Sequence, residues 1–409
     1  MKKETLKLLF KPLTIVNKVM PKDKNLVMFY TNLGFRDNVK ELFDYMISKG
    51  LNKKYKIVLS LNDESEIKKI PNGVIVVDNK EGIKYFLRAK YMFFCFGKYP
   101  IKPSDNQVVV NLTHGIPLKK LGNTEKGKEN IDYNYFTYVL TCSEYYRQIM
   151  KDCFGCFDNQ ILIGGQPRCD RLFMNLPAVD SKIRKGAKKL FVWMPTYRFT
   201  KGEVEEESDT EEVIDESKVT TLAKLSMWPI PMLSREDIKE LDSILKQNET
   251  KLIIKLHPLQ AYNDTDYRNM KLKNIEILTQ KELDKRGINV YDLCRASDGL
   301  ITDYSSIYFD YLLLNKPIGF VVEDMRKYSN DRGFLLDPAK DYMPGMFIKN
   351  YDDMLKFMKD VCEGEESFGP DRSRVNHLIN TYQDGKNCKR LLEKIGMDSE
   401  YPAPQENEN

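Results

Sequence analysis

The chain has 409 residues, 42% hydrophobic and 30% charged, which is enough apolar surface for two globular cores. Its net charge of +4 is far from the dense basic stripe of a nucleic-acid-binding protein, so no nucleic acid is expected as partner and any anion binding is local. No apolar run approaches the roughly 20 residues that a membrane span needs. No signal peptide is read ahead of the eight cysteines, so disulfides are not expected.

Residues 1–24 form a basic segment in which Leu6, Leu9, Phe10, Leu13 and Val16 recur near helical spacing among Lys2, Lys3, Lys7, Lys11 and Lys18. Such a segment either lies in the interface of an anionic membrane or packs on the protein's own surface, and Pro12 is expected to kink or split it. Short apolar strands then alternate with helices: NLVMFYT from Asn25, a helix from Asn38 to Gly50, YKIVLSL from Tyr55, GVIVVD from Gly73, KYMFFCF from Lys90 and QVVVNLTHG from Gln107. This alternation predicts a parallel sheet covered on both faces. QILIGGQPRCDRLF, from Gln160, closes a first unit spanning 25–180. Cys153 and Cys156 form a lone CxxC with no second pair at metal spacing, so they read as buried thiols and not as a zinc site.

A basic, loop-like stretch from Ser181 to Lys189 marks the boundary with a second unit, 181–395. Its strands are KLFVW, ETKLIIKLHP, NIEILT, GLITDYSS and KPIGFVV. Residues 202–217 are acidic and almost free of apolar side chains, which predicts a solvated insertion without chemistry. Residues 396–409 read as a disordered tail.

Of three histidines, two end strands. His114 follows QVVVNLT and precedes Gly115; His257 follows KLIIKL and precedes Pro258. Ligands of open parallel sheets bind beyond the carboxyl ends of the strands, so two facing domains would bring both imidazoles to one cleft. An isolated histidine there would simply cap its strand; matched placement in both halves favours function. In LITDYSSIYFDY the strand ends at Asp303, and Ser305 and Ser306 open a helix whose N–H groups and hydroxyls suit phosphate. Ordinary N-capping by Asp303 or Ser305 is compatible with that use. Arg168, Arg198 and Arg332 stand at strand or loop ends and can bind phosphate oxygens, with Gly164 and Gly165 allowing close backbone approach and Lys119 and Lys120 adding charge. Together these suit a diphosphate-containing ligand. There is no P-loop and no GxGxxG after the first strand.

The segments THGIPLKKLG, GGQPRCDRLF, MPTYR, KLHP, ITDYSSIYFDYLLLNKPIGF, EDMRKYSNDRGF and NTYQDGKNCKRLLEKI, running in order from about Asn111 to Ile395, resemble the CDP-glycerol glycerophosphotransferase family of teichoic acid enzymes. The resemblance implies a GT-B type α/β architecture of two facing Rossmann-like domains, with an acceptor-side first domain and a CDP-donor-binding second one. It implies transfer of glycerol-phosphate or a related polyol-phosphate from a CDP-polyol to a lipid-linked cell-wall polymer, with release of CMP. A cytoplasmic enzyme peripheral to the inner face of the membrane is implied as well. The rival is a GT-B glycosyltransferase using a nucleotide sugar. In the transferase reading His114 is the general base and His257 contacts the donor diphosphate. Gly115, Arg168, Arg198, Asp303, Ser305, Ser306 and Arg332 bind or position phosphate. No cofactor is required and no metal ligand set is named; Asp303 keeps a divalent metal open. Thr113 and Ile116 stand where the family often has an aromatic residue and a threonine, and the acidic insertion is longer than expected. Both departures bear on the acceptor.

Overall fold

The protein is described by a computed structural model covering residues 3–62, 67, 69–196, 230, 232–256 and 270–401. Two parallel sheets are built from these residues. The first contains β1 (Asp23–Tyr30), β2 (Lys56–Leu61), β3 (Val74–Asp78), β4 (Ala89–Phe94), β5 (Val108–Asn111), β6 (Tyr138–Thr141) and β7 (Ile161–Ile163), in the order β3-β2-β1-β4-β5-β6-β7. The second contains β8 (Lys189–Trp193), β9 (Thr250–Lys255), β10 (Ile275–Leu278), β11 (Gly299–Thr302), β12 (Ile318–Val321) and β13 (Met346–Ile348), in the order β10-β9-β8-β11-β12-β13. Such strands must be apolar on both faces, and β1 shows why its sequence qualifies. Leu26, Met28 and Tyr30 enter one core, while Val27 and Phe29 enter the other. Each such side chain contributes about 1.5–3 kcal/mol on burial. In β8, Leu190 and Val192 alternate with Phe191 and Trp193 in the same way.

The helices that matter for the site are numbered in chain order: α1 (Lys3–Val19), α2 (Asp37–Ser48), α3 (Gly82–Phe86), α4 (Arg147–Phe154), α5 (Pro177–Arg184), α6 (Arg235–Gln247), α7 (Gln280–Arg286), α8 (Val290–Ala296), α9 (Ile307–Tyr311), α10 (Met325–Asp331), α11 (Tyr351–Glu363), α12 (Gly369–Ile379) and α13 (Asn387–Lys394). Helix α1 runs through Pro12 without splitting. Phe10 and Leu13 pack on the core, and Asn17 donates to the Lys102 carbonyl (3.0 Å) and to Gln107 (2.9 Å), so tertiary contacts hold what proline weakens. Ile15, Val16 and Val19 on the same helix face solvent.

The structure departs from the sequence reading at three places. The stretch from Ser181 is helical as far as Arg184, because Ile183 is buried against the second domain and Arg184 donates to the Ala296 carbonyl at 2.7 Å. Helix α13 returns to the first domain: Cys388, Leu391, Leu392 and Ile395 share a core with Val27, Phe29 and Leu42. The expected free tail is packed over its first residues. Met397 is buried, Asp398 pairs with Lys54 and accepts from Tyr55 (3.0 Å), and Tyr401 N–H donates to the Lys49 carbonyl (3.0 Å). The acidic insertion 202–217 and the rest of the tail, 402–409, lie outside the described residues.

Candidate functional site

The loop after β5 is held in an unusual backbone conformation. Thr113 has φ 55 and Gly115 has φ 123, so His114 sits between two left-handed residues. For a β-branched residue this costs on the order of 1–3 kcal/mol and needs support from its surroundings. Three side chains supply it. Asn111 Oδ1 accepts from Thr113 N–H (3.0 Å), Asn38 Nδ2 donates to the Thr113 carbonyl (2.9 Å), and Gln166 Nε2 donates to Thr113 Oγ1 (3.2 Å). The half-buried imidazole of His114 stacks on Phe96, with ring centres 5.5 Å apart and planes at 27°, and the Arg36 guanidinium lies 5.6 Å from the same Phe96 ring. The stacking fixes the plane of the imidazole and the loop fixes its origin.

The loop after β11 is built differently. Asp303 is buried, and its Oδ2 accepts from both the N–H (2.9 Å) and the hydroxyl (2.7 Å) of Thr196. It therefore binds the loop after β8 to the loop after β11. Ser306 precedes α9 in relaxed helical geometry, φ −62 and ψ −13, and its side chain makes no capping hydrogen bond. Its hydroxyl is thus not spent on the helix end. Because α9 has five residues before a 3₁₀ turn at Leu312–Leu314, hydroxyls contribute more here than a helix dipole does.

The two loops meet. A methyl group placed on Gly115 would lie 2.6 Å from Nη2 of Arg168 and 2.8 Å from Oγ of Ser306, so only glycine fits at this contact between domains. The domains touch again where Lys119 forms an antiparallel bridge with Phe334. There Lys120 N–H donates to the Gly333 carbonyl (3.2 Å) and Leu335 N–H to that of Leu118 (2.8 Å). The exposed Arg332 is carried beside Lys119 and Lys120, which concentrates positive charge along this seam. Lys119 also lies 5.5 Å from the ring of Tyr328.

Arg168 takes a place other than the one read from sequence. Its Nη1 donates to both carboxylate oxygens of Asp37 (2.8 Å each), and its Nη2 (2.8 Å) and Nε (3.2 Å) donate to Asp310. Burial alone would discourage its charge; Asp310 and Asp37 more than restore it. With all three nitrogens on carboxylates, the guanidinium ties α2 to α9 and has no fork left for phosphate. Asp37, Asn38, Gln166 and Asp310 were missed by sequence reasoning. Asp310 carried a signal, as a lone acid within an apolar helix.

His257 and Arg198 lie outside the described residues. Strand β9, which ends two residues before His257, flanks β8 as β2 flanks β1, whereas His114 follows β5 on the other side of β1. The two histidines therefore follow carboxyl ends of strands, but not equivalent strands. His377 is exposed on α12, with Nδ1 2.7 Å from the Ser373 carbonyl oxygen. Cys153 and Cys156 are buried free thiols. Among the described residues, no group of three or more His, Cys, Asp or Glu side chains is arranged to hold a metal.

Comparison with known proteins bears on this arrangement. A glycerol-phosphate primase of teichoic acid synthesis from Bacillus subtilis (strain 168) is 26% identical over 291 residues, covering 68% of this chain and 65% of the primase. A teichoic acid glycerol-phosphate transferase from Staphylococcus aureus (strain NCTC 8325 / PS 47) is 23% identical over 409 residues, covering 91% and 93%. This chain thus spans just under two thirds of the first relative and nearly all of the second. Among solved structures, a variant of the wall teichoic acid polymerase TagF superposes with a TM-score of 0.73 at 20% identity, covering 96% of this chain and 93% of that one. That likeness shows the fold, a GT-B-like pair of parallel-sheet domains. Residues 13–396 match one family along almost the whole chain, and the protein belongs to the CDP-glycerol:poly(glycerophosphate) glycerophosphotransferase family.

Proposed function

We propose that this protein transfers glycerol-phosphate, or a related polyol-phosphate, from a CDP-activated donor to a teichoic acid or similar lipid-linked polymer. The observation that supports the reading is the meeting of the His114–Gly115 loop with Ser306, which brings the backbone next to His114 up to the Ser306 hydroxyl of the other domain. The acceptor hydroxyl oxygen attacks the β-phosphorus of the CDP-polyol. The bond between that phosphorus and the bridging oxygen breaks, and CMP leaves with the electron pair. An imidazole nitrogen of His114 takes the acceptor's proton as a positioned general base. Ser305 and Ser306 donate hydrogen bonds to phosphate oxygens, and Asp303 holds the two donor-side loops together. His257 and Arg198 complete the donor side, and Arg332, Lys119 and Lys120 draw anionic substrate to the seam. The reading requires no resident metal, and turnover in the presence of EDTA tests that.

No helix among the described residues is long and apolar enough to cross a membrane. Helix α1 instead offers the exposed Ile15, Val16 and Val19 beside the exposed Lys11 and Lys18. This pattern supports contact with the anionic inner face of the cell membrane, where a lipid-linked acceptor resides. Co-sedimentation with anionic but not neutral vesicles is the check.

The deciding experiment incubates the purified protein with CDP-glycerol or CDP-ribitol and a lipid-linked acceptor, and follows CMP. Acceptor-dependent CMP release from one of them is expected. Turnover of a nucleotide sugar with release of a nucleoside diphosphate, and none of the CDP-polyols, would replace the reading with glycosyl transfer.

A further inference from the structure

We propose that Asn38 and Arg168 are positioning residues: a buried chain of hydrogen bonds, Asp310 to Arg168 to Asn38 to Thr113, sets His114 of the first domain at a fixed distance from Ser305 and Ser306 of the second. The inference rests on the transfer reading given above.

The chain begins in the second domain. Asp310 lies one helical turn beyond Ser306 and is almost wholly buried; besides Arg168 it accepts from the Tyr291 hydroxyl at 2.6 Å. It cannot move without α9, and α9 cannot move without the serines. Arg168 spans from Asp310 to Asp37 at the start of α2. Its own backbone N–H donates to Asn38 Oδ1 (3.1 Å). Asn38 is fully buried, and its Nδ2 donates to the carbonyls of Leu112 (3.2 Å) and Thr113 (2.9 Å), the two peptide units that lead into His114. Each member is thus bonded to the next, as a buried polar network requires.

Two features argue against a phosphate contact at Arg168. A guanidinium with two carboxylates carries a local net charge of −1, which repels a diphosphate. Asp37 and Asp310 also come from different domains, so the pair of bonds is useful for fixing one domain on the other. Asp37 itself is left-handed, φ 60, like Thr113, so strained residues flank Asn38 on both sides of the contact. Misplacing a reacting group by about 1 Å costs about 100-fold in rate, so a tie of this kind reads out in turnover before it reads out in binding.

Asp37→Asn keeps the charge of Arg168 and its bond to Asp310, and loosens only the first-domain end. Arg168→Lys keeps the charge but loses the fork that reaches both acids. For each variant the dissociation constant of CDP-glycerol, kcat in the CMP assay and amide exchange over residues 112–116 are measured. The expected result is a kcat lowered about 10–100-fold, an unchanged dissociation constant and faster exchange of that loop. A dissociation constant that rises in step with the loss of kcat/KM would return Arg168 to the donor ligands and overturn the proposal. So would an unchanged kcat with only a lower Tm. If the wild-type protein releases no CMP from any CDP-polyol, the transfer reading fails. The tie is then judged on exchange alone: faster exchange in Asp37→Asn supports it and unchanged protection sinks it.

Discussion

The loop after β5 and the loop after β11 face each other across the same contact, yet they are held by opposite means. The first is strained, with Thr113 and Gly115 left-handed and three amide side chains bracing the threonine. The second is relaxed, with Ser306 in helical geometry and one buried carboxylate, Asp303, holding it to Thr196. The difference fits the proposed transfer, in which one loop presents a general base and the other presents hydroxyls. A general base must aim one nitrogen at one proton, so backbone strain is tolerated where it fixes direction. Hydroxyls rotate to suit a phosphate oxygen and need only be brought near. On that proposal the strained loop is the one whose direction the chemistry needs.

The largest expected effect breaks the first loop's chemistry. His114→Ala should lower turnover by about 10²–10⁴-fold, the usual worth of a general base, while CDP-glycerol still binds. Equal losses of binding and turnover would place His114 among the donor ligands and erase the contrast between the loops. Next comes the contact between them. Gly115→Ala adds a methyl 2.6 Å from Nη2 of Arg168 and 2.8 Å from Oγ of Ser306, at φ 123. It should cost about 100-fold in kcat/KM by pushing the domains apart. Gly127→Ala is the control: it shares a positive φ, 85, but the methyl meets nothing within 4 Å, so turnover should be near wild type. If both variants lose activity alike, backbone strain and not the contact is responsible.

Much of this was legible in the sequence, for reasons that differ by residue. The strands of both sheets announce themselves as apolar runs, because parallel strands are buried on both faces. The placement of His114, Asp303, Ser305 and Ser306 just beyond the ends of β5 and β11 was legible from the strand patterns. The carboxylate partners of Arg168 were not, since Asp37 and Asp310 lie far from it in sequence and only folding brings them to one guanidinium. The left-handed φ of Thr113 was hidden because threonine gives no warning of it; glycine or asparagine would have. The return of α13 to the first domain was hidden too. Its apolar positions show that it is buried but not against which sheet.

The smallest expected effect tests the helix that braces the strained loop. One turn after Asp37 and Asn38, α2 carries Glu41, buried at the seam, where Oε1 accepts from Asn289 of the second domain at 2.7 Å. Burial pushes its carboxyl up to about 7; Arg171 and Lys40 pull it back, and Asp44 and Asp292 push it further. A carboxyl raised in the folded state stabilises the fold fully below its ordinary value near 4.5 and loses that contribution as pH rises through about 7. Wild-type stability should therefore fall between about pH 4.5 and 7 on this account and level off above that. Glu41→Gln keeps an oxygen for Asn289 and cannot ionise, so its Tm should stay level over that range. At pH 8 it should exceed the wild type by on the order of 1–3 kcal/mol, less whatever Arg171 loses with its partner at 3.9 Å. Below about pH 4.5 the two should converge. Parallel Tm curves for the two proteins would mean that Glu41 is charged without cost at the seam.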